Sequence, residues 1–196
     1  IRLTEDAGQQ LIERVLQGEL HLAANVSRDF EQLASRPLYP LRMLAVMSRR
    51  HHLASRRSLT LDDLTRQPLL MLGRGFQVRQ LFDALCQARN VDVDVILESR
   101  SPQSIVALAA AGHGIAIVPS VVVLERKRVA IVGLVHDGRP LGFWIRVAWD
   151  PRRYLPPYGE AFVETLVRCM KRSFPGHTLG VTRGVEVPAD VGTKRR

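Results

Sequence analysis

The side chains capable of covalent or metal chemistry are few in this chain, and their spacing argues against both. Six histidines stand at positions 21, 51, 52, 113, 136 and 177 without a metal-ligand repeat. His51 and His52 are neighbours on a loop and would need distant carboxylates to complete a site. His113 lies between Gly112 and Gly114 at the end of an apolar helical stretch, a position that suits helix capping better than catalysis. Cys86 and Cys169 each fall inside an expected helix and match no zinc or redox spacing. They could in principle bridge, but read as two buried free thiols, which favours a reducing compartment. No HExxH, P-loop or GxSxG occurs, so no catalytic residue, metal or cofactor is expected.

Non-covalent chemistry is better represented. Gly73, Arg74, Gly75, Phe76 and Gln77 leave an apolar strand and enter a helix. Such a turn presents unpaired backbone N–H groups at the carboxyl edge of a parallel sheet, where an anion fits. Ser101 followed by Pro102 repeats the arrangement, and Asp6, Ala7, Gly8 and Gln9 do so near the start of the chain. Plain helix capping explains each turn taken singly. Three at one sheet edge point instead to a cleft for a small anionic or polar molecule.

The elements that must hold these turns follow from hydrophobic periodicity. Residues 1–5 alternate as a strand, Leu11, Ile12, Val15 and Leu16 recur at helical spacing, and residues 20–26 resume a strand, giving a βαβ unit with parallel strands. A polar loop is expected over 27–40, then a strand at 41–48 apolar enough to be buried on both faces. A short helix at 58–64 and a strand at 69–72 precede the glycine loop. The following helix carries Val78, Leu81, Phe82, Leu85 and Cys86 on one face. A strand at 93–98, a helix from Pro102 to Ala111 and a strand at 115–118 come next. A short helix over 120–128 leads to strands at 129–135 and 142–149 joined through Asp137 and Gly138, and the last helix starts at Pro156 or Pro157. From Ser173 the periodicity ends, so 173–196 reads as a disordered tail. Strands alternating with helices define an α/β class with mainly parallel sheet.

Composition bounds the rest. The chain has 196 residues, 46% hydrophobic and 24% charged, enough for a core without staples. Its apolar runs are far shorter than a membrane span. The net charge is +9, and arginine supplies most of it. The densest window, 36–57, holds Arg36, Arg42, Arg49, Arg50, Arg56 and Arg57 and no acid. The arginines lack helical spacing, so a solvated basic edge is the plainer reading and a phosphate-binding patch the alternative.

The order of the pieces resembles the effector-binding domain of LysR-type transcriptional regulators, whose fold is similar to that of type 2 periplasmic binding proteins. Leu16, Gly18, Leu20, Leu22 and Ala23 follow the family's L-x-G-x-L-D-L-A turn, with His21 in place of the acid. The apolar strand ending in His52, Leu53 and Ala54 is similar to a strand followed by H-P-L-A, without its proline. Ser58, Asp62, Leu64, Pro68, Leu69 and Leu70 follow S-x-x-D-L-x-x-x-P-L-I. The stretch from Val106 through Gly112, Gly114 and Ile115 to Pro119 carries the most specific pattern, V-A-A-G-x-G-I-A-L-L-P.

The resemblance covers residues 1–172 and implies a two-subdomain sensor: 1–48 with 150–172, and 49–149. It implies ligand contacts from Gly8 and Gln9 in the first subdomain and from Arg74, Gly75, Phe76, Gln77, Ser101 and Pro119 in the second. Arg74 would pair with a carboxylate or, as the alternative, remain a solvated loop arginine. Phe76 would cover an apolar part of the ligand. The family's DNA-reading winged helix, linker helix and first sensor strand and helix would precede Ile1. This stretch should then not read an operator by itself, and should be less stable for want of a core strand. The implied protein is cytoplasmic and not an enzyme. It senses a small-molecule effector, forms a homodimer or homotetramer, reaches promoter DNA through the preceding helix-turn-helix, contacts RNA polymerase and does not engage a membrane. A solute-binding component of a transporter is the alternative with the same cleft.

Overall fold

Residues 2–6, 8–26 and 32–177 are described in the computed structural model of the chain. They divide into two units, Ile1–Pro40 with Phe143–Phe174, and Leu41–Gly142 with Pro175–Arg196. The first strand shared by the two, β2 (Ala34–Ser48), gives residues 34–40 to the first unit and 41–48 to the second. The unit limits therefore fall inside β2 and at the start of the strand after residue 142. The sequence reading set them at 48 and 149, because an apolar run shows where a strand ends and not where its neighbours change.

In the first unit, α1 (Gly8–Gln17) turns Ile12 and Val15 onto Ala23 and Ala148, closing a small apolar cluster. Gly18 ends the helix at φ +82°, and its missing side chain is also a packing requirement. A Cβ there would lie 2.2 Å from the Arg153 guanidinium, which donates to the Leu16 carbonyl at 3.0 Å. The glycine of the L-x-G turn thus lets a distant arginine satisfy a carbonyl at the helix end. β1 (Ala23–Val26) pairs antiparallel with the late strand over Gly142–Trp149, and α4 (Pro157–Arg172) buries Val163 and Val167. The expected opening strand is not found among the described residues 2–6, and β1 is not the parallel member of a βαβ unit. Alternation marks a chain able to form a strand; a free sheet edge decides whether it does.

In the second unit β2 lies between β6 (Ile115–Pro119) and β7 (Val129–His136), antiparallel to both. β4 (Pro68–Leu72) runs parallel to β6 on one side and to β5 (Asp94–Ser99) on the other. The sheet is mixed, with its parallel part at β5, β4 and β6. β3 (Ser58–Leu59) adds to β7, and a single 3-10 turn at Asp62–Leu64 replaces the expected short helix. α2 (Gln77–Ala88) and α3 (Pro102–Ala110) follow β4 and β5. Leu44, Val46, Leu70, Leu72, Ile105, Ala116 and Val118 form the core over the α3 face.

Gly114 sits at φ +156°, where a Cβ would lie 2.4 Å from the Pro68 carbonyl oxygen, so only glycine lets β6 come alongside β4. Just before it, the amides of Gly112 and His113 donate to the carbonyls of Ala109 and Leu108 and close α3. His113 thus caps through its backbone. The hairpin through Asp137 and Gly138, both at positive φ, returns to the two-residue β8 (Arg139–Pro140), and β9 (Gly142–Trp149) runs on into the first unit. The stretch 120–128, expected as a helix, forms turns. Of the expected tail, 178–196 lies outside the described residues, whereas Phe174 stacks on Tyr39 with ring centres 5.6 Å apart.

Candidate functional site

Because β4, β5 and β6 are parallel, their carboxyl ends open on one edge. The register pairs Leu72 with Ser99 and Met71 with Ile117, which carries Pro119 to the level of Gly73. Strand spacing then sets the β5 and β6 exits about 10 Å apart, with the β4 exit between them, a width suited to a small metabolite. Arg74, Gly75, Phe76, Gln77, Ser101 and Pro119 all lie at this edge of the second unit. Gly8 begins α1 and Gln9 follows it in the first unit; the side chain of Gln9 is outside the described residues.

The loop after β4 is pinned by its backbone. The Gly73 amide donates to Ser99 at 3.1 Å, the Phe76 amide to Gly73 at 3.0 Å, and the Gln80 side chain to the Arg74 carbonyl at 3.3 Å. Arg74 and Gly75 are exposed, and a Cβ on Gly75 would meet nothing within 4 Å. Gly75 thus leaves the loop open on the solvent side and is not needed for packing. Phe76, at the N-cap position of α2, is half-buried and packs against the core. Its ring anchors the loop, so only its exposed part remains for a ligand.

α2 begins without a side-chain cap and without an acidic residue in its first turn. Its leading amides and positive dipole end follow directly on the exposed loop that carries Arg74, an arrangement that attracts an anion. α3 begins differently: the Ser101 hydroxyl accepts from the Ser104 amide at 3.3 Å, and Pro102 needs no partner. Capping is therefore the observed role of Ser101. Pro119 ends β6, and the next residue, Ser120, is fully buried and holds Arg42 by two backbone-mediated bonds, of 2.8 and 3.1 Å.

One residue at this edge was not singled out in the sequence. Arg79 is only 3% exposed and donates to the Leu72 carbonyl at 3.2 Å, to Asp83 at 2.7 Å and to Glu98 at 2.9 Å. It ties the end of β4, the side of β5 and the first turn of α2 into one support beneath the loop. Burial lowers its pKa, but the two carboxylates outweigh that and raise it. The signal was present: a cation in a first turn opposes the helix dipole unless it is paired, and Asp83 stands four residues on.

Two cavities in the first unit hold none of the expected ligand residues. One, of about 320 Å³, lies between Gly18, His21, Trp149, Arg153 and Tyr154. Its floor is Asp150, 4% exposed, whose carboxylate binds Arg152 at 2.9 and 3.0 Å. Those bonds hold its pKa down to about 2. The other, of about 330 Å³, lies between Arg36 and the last turns of α4.

Cys86 is buried and its thiol is pushed up to about 11, chiefly by desolvation, so it is inert at neutral pH. Cys169, expected to be buried, is exposed on the outer face of α4. No cluster of three or more potential metal-ligating side chains occurs among the described residues, and no described helix is long and apolar enough to cross a membrane.

Three parallel carboxyl ends open beside an uncapped helix start in a two-unit α/β chain, the kind of edge at which α/β proteins hold small molecules. The chain matches the LysR substrate binding domain family over residues 1–171 and belongs to it. Among its relatives, an uncharacterized HTH-type transcriptional regulator, YybE of Bacillus subtilis, is 25% identical over 169 residues, 85% of this chain and 56% of that protein. The chain thus spans about half the length of the curated relatives it matches. The regulatory domain of CcmR from Synechocystis in complex with 2-PG superposes with TM-score 0.72 at 24% identity, over 85% of this chain and 81% of that one. The effector binding domain of QuiR in complex with shikimate gives 0.70 at 21%, over 86% and 80%. These likenesses show the fold, the type 2 periplasmic-binding-protein-like α/β fold.

Proposed function

We propose that this chain is the effector-sensing domain of a LysR-type transcriptional regulator and that its effector is a small anionic metabolite. The observation that carries the reading is the start of α2, which has neither a cap nor an acid and stands beside Arg74 at the parallel sheet edge. Arg74 supplies a forked cation for a carboxylate or phosphate, and the amides of α2 supply directed donors. Gly75 gives the ligand room to approach the backbone, and Ser101 and Pro119 form the flanks. The regulators bound to shikimate and to 2-PG support an anionic ligand.

Binding changes the balance between two conformations of the domain without chemistry on the ligand, so the protein is not an enzyme. In the whole regulator that balance is passed to promoter DNA through a helix-turn-helix, and to RNA polymerase. The regulator is a cytoplasmic homodimer or homotetramer in which residues 9–17 of one copy meet residues 77–89 of another. Transport of a solute is not favoured, since the curated relatives are named as transcriptional regulators.

Thermal-shift screening of small carboxylates and phosphorylated acids, shikimate and 2-PG among them, tests the reading. At least one should raise Tm. Arg74→Ala should leave the unliganded Tm unchanged and weaken that compound by about tenfold or more, as loss of a charge-assisted pair does. A panel without a stabilising anion, or an Arg74→Ala protein that binds as the original does, would overturn the assignment. Turnover of the ligand would point to an enzyme.

A further inference from the structure

The basic window at 36–57 does not stay together in the fold. Arg36 pairs with Glu164 in the first unit, and Arg42 is tied to Ser120 by backbone bonds in the second. What remains, Arg49, Arg50, Arg56 and Arg57, is exposed. β2 and β7 are antiparallel with Ser48 opposite Val129, so the chain leaving β2 emerges beside the chain entering β7. That chain is Arg126, Lys127 and Arg128, all exposed. The Arg49 guanidinium donates to the Arg126 carbonyl at 2.9 Å and joins the two runs.

Seven cations distant in sequence thus surround the entry of β7 in the second unit, Arg49 and Arg50 leaving β2 on one of its edges and Arg56 and Arg57 leading into β3 on the other. Among the described residues only Arg128 of this group has a carboxylate within reach, Glu125 at 3.9 Å. Like charges held together repel, and the register that gathers them is fixed by the buried strands. The basic end of α4 has a local explanation, since cations in a last turn complement the helix dipole. This face lies on loops and has none.

The loop is also bonded within itself. The amides of His51, Ala54 and Arg56 donate within the turn, the His51 Nδ1 accepts the Leu53 amide at 3.2 Å, and Leu53 is buried. A preformed cationic surface loses little entropy on meeting a polyanion.

We propose that this face, Arg49 to Arg57 together with Arg126, Lys127 and Arg128, is a sequence-independent contact for the phosphate backbone of double-stranded DNA. Arginine forks suit phosphate oxygens; no Phe, Tyr or Trp interleaves the cluster as a single-strand stacking platform would require, and the His51 and His52 rings in it stack on each other, 4.4 Å apart. The choice of duplex over other polyanions rests on the reading of the chain as part of a DNA-bound regulator; the effector site plays no part in it.

Fluorescence anisotropy of the full chain with a labelled duplex of arbitrary sequence tests the proposal. Affinity should fall with salt on a log–log slope of roughly −4 to −5, the value for four to six phosphates neutralised. Arg56→Glu with Arg57→Glu, and separately Lys127→Glu with Arg128→Glu, should each weaken binding at least tenfold at low salt and flatten the slope by about 2. Arg168→Glu with Lys171→Glu on α4 changes net charge equally and should weaken binding less than threefold. Equal losses in all three variants would reduce the effect to net charge and overturn the proposal, as would no binding at 50 mM salt or equal affinity for polyglutamate, which would assign the face to an acidic protein. Unchanged circular dichroism melts would show that the substituted loops still fold.

Discussion

Two helices start at the same sheet edge of the second unit, and they start in opposite ways. α3 has Ser101 on its first amides and a proline that needs none; α2 has a half-buried phenylalanine at the same position, no acid in the first turn, and a cation alongside. The first helix end is finished by the chain itself. The second leaves donors and positive potential for something else. The contrast teaches that strand-to-helix turns that look alike in sequence differ in what they leave unsatisfied, and that difference is what the proposed ligand site rests on.

The loop over α2 is open at its surface and held firmly underneath. Arg79 joins β4, β5 and α2 by three bonds while almost fully buried, so the donors of the loop are fixed before a ligand arrives. Arg79→Met is therefore expected to have the largest effect in this region. Removing one partner of a buried pair costs roughly 3–5 kcal/mol; here the carboxylates remain partly solvated, so about 2 kcal/mol is expected from urea unfolding. Ligand affinity should fall with it, because the α2 start loses its tie to the Leu72 carbonyl. An Arg79→Met protein as stable as the original would show that the support is not needed.

Ser101→Ala tests the finished helix. It should cost about 1 kcal/mol in the same measurement and leave affinity for a stabilising anion nearly unchanged. A strong loss of affinity would mean that the hydroxyl serves the ligand and not the helix.

Gln77→Glu and Gln103→Glu sharpen the comparison by placing an acid in the first turn of each helix. Both should stabilise by about 0.5 kcal/mol through the helix dipole. Only Gln77→Glu should weaken the anion, because only there does the new carboxylate compete for the same potential. Equal effects on affinity would erase the distinction between the two turns.

The smallest expected effect is confined to acid. The Asp150 carboxyl is held down to about 2 in the folded protein against an ordinary 3.8. Its contribution is complete above the ordinary value and disappears as pH falls through the folded one. Asp150→Asn should flatten the stability profile between about pH 4 and pH 2. An unchanged acid limb in urea titrations would show that the contacts with Arg152 and Arg153 do not favour the charged carboxylate in the folded chain.

Much of this was legible in the chain. The α2 stripe, the Ser101 and Pro102 start, the strand from Leu69 to Leu72 and the two glycines before Ile115 all follow from local periodicity and capping. The failures were of a different kind. Residues 2–6 alternate but find no strand partner among the described residues, and 120–128 forms turns although it contains an apolar run. Cys169 was read as a buried thiol because free cysteines usually are, yet it is exposed, and cysteine's general preference for burial does not say on which side of a helix a given position falls. Phe76 packs in part against the core, a contact the local sequence does not display.

The sequence alone determined the α/β class, the strand-to-helix turns at Gly73 to Gln77 and at Ser101 and the family, because these depend on neighbours within a few residues and on ordered motifs. Only the tertiary structure decided that Arg79 underlies the α2 loop, that Arg153 occupies the space Gly18 leaves, and that residues 126–128 join the arginines of 49–57. Each depends on which strands lie side by side and in what register. That choice is made by burying apolar faces across the whole sheet, and no short window of residues contains it.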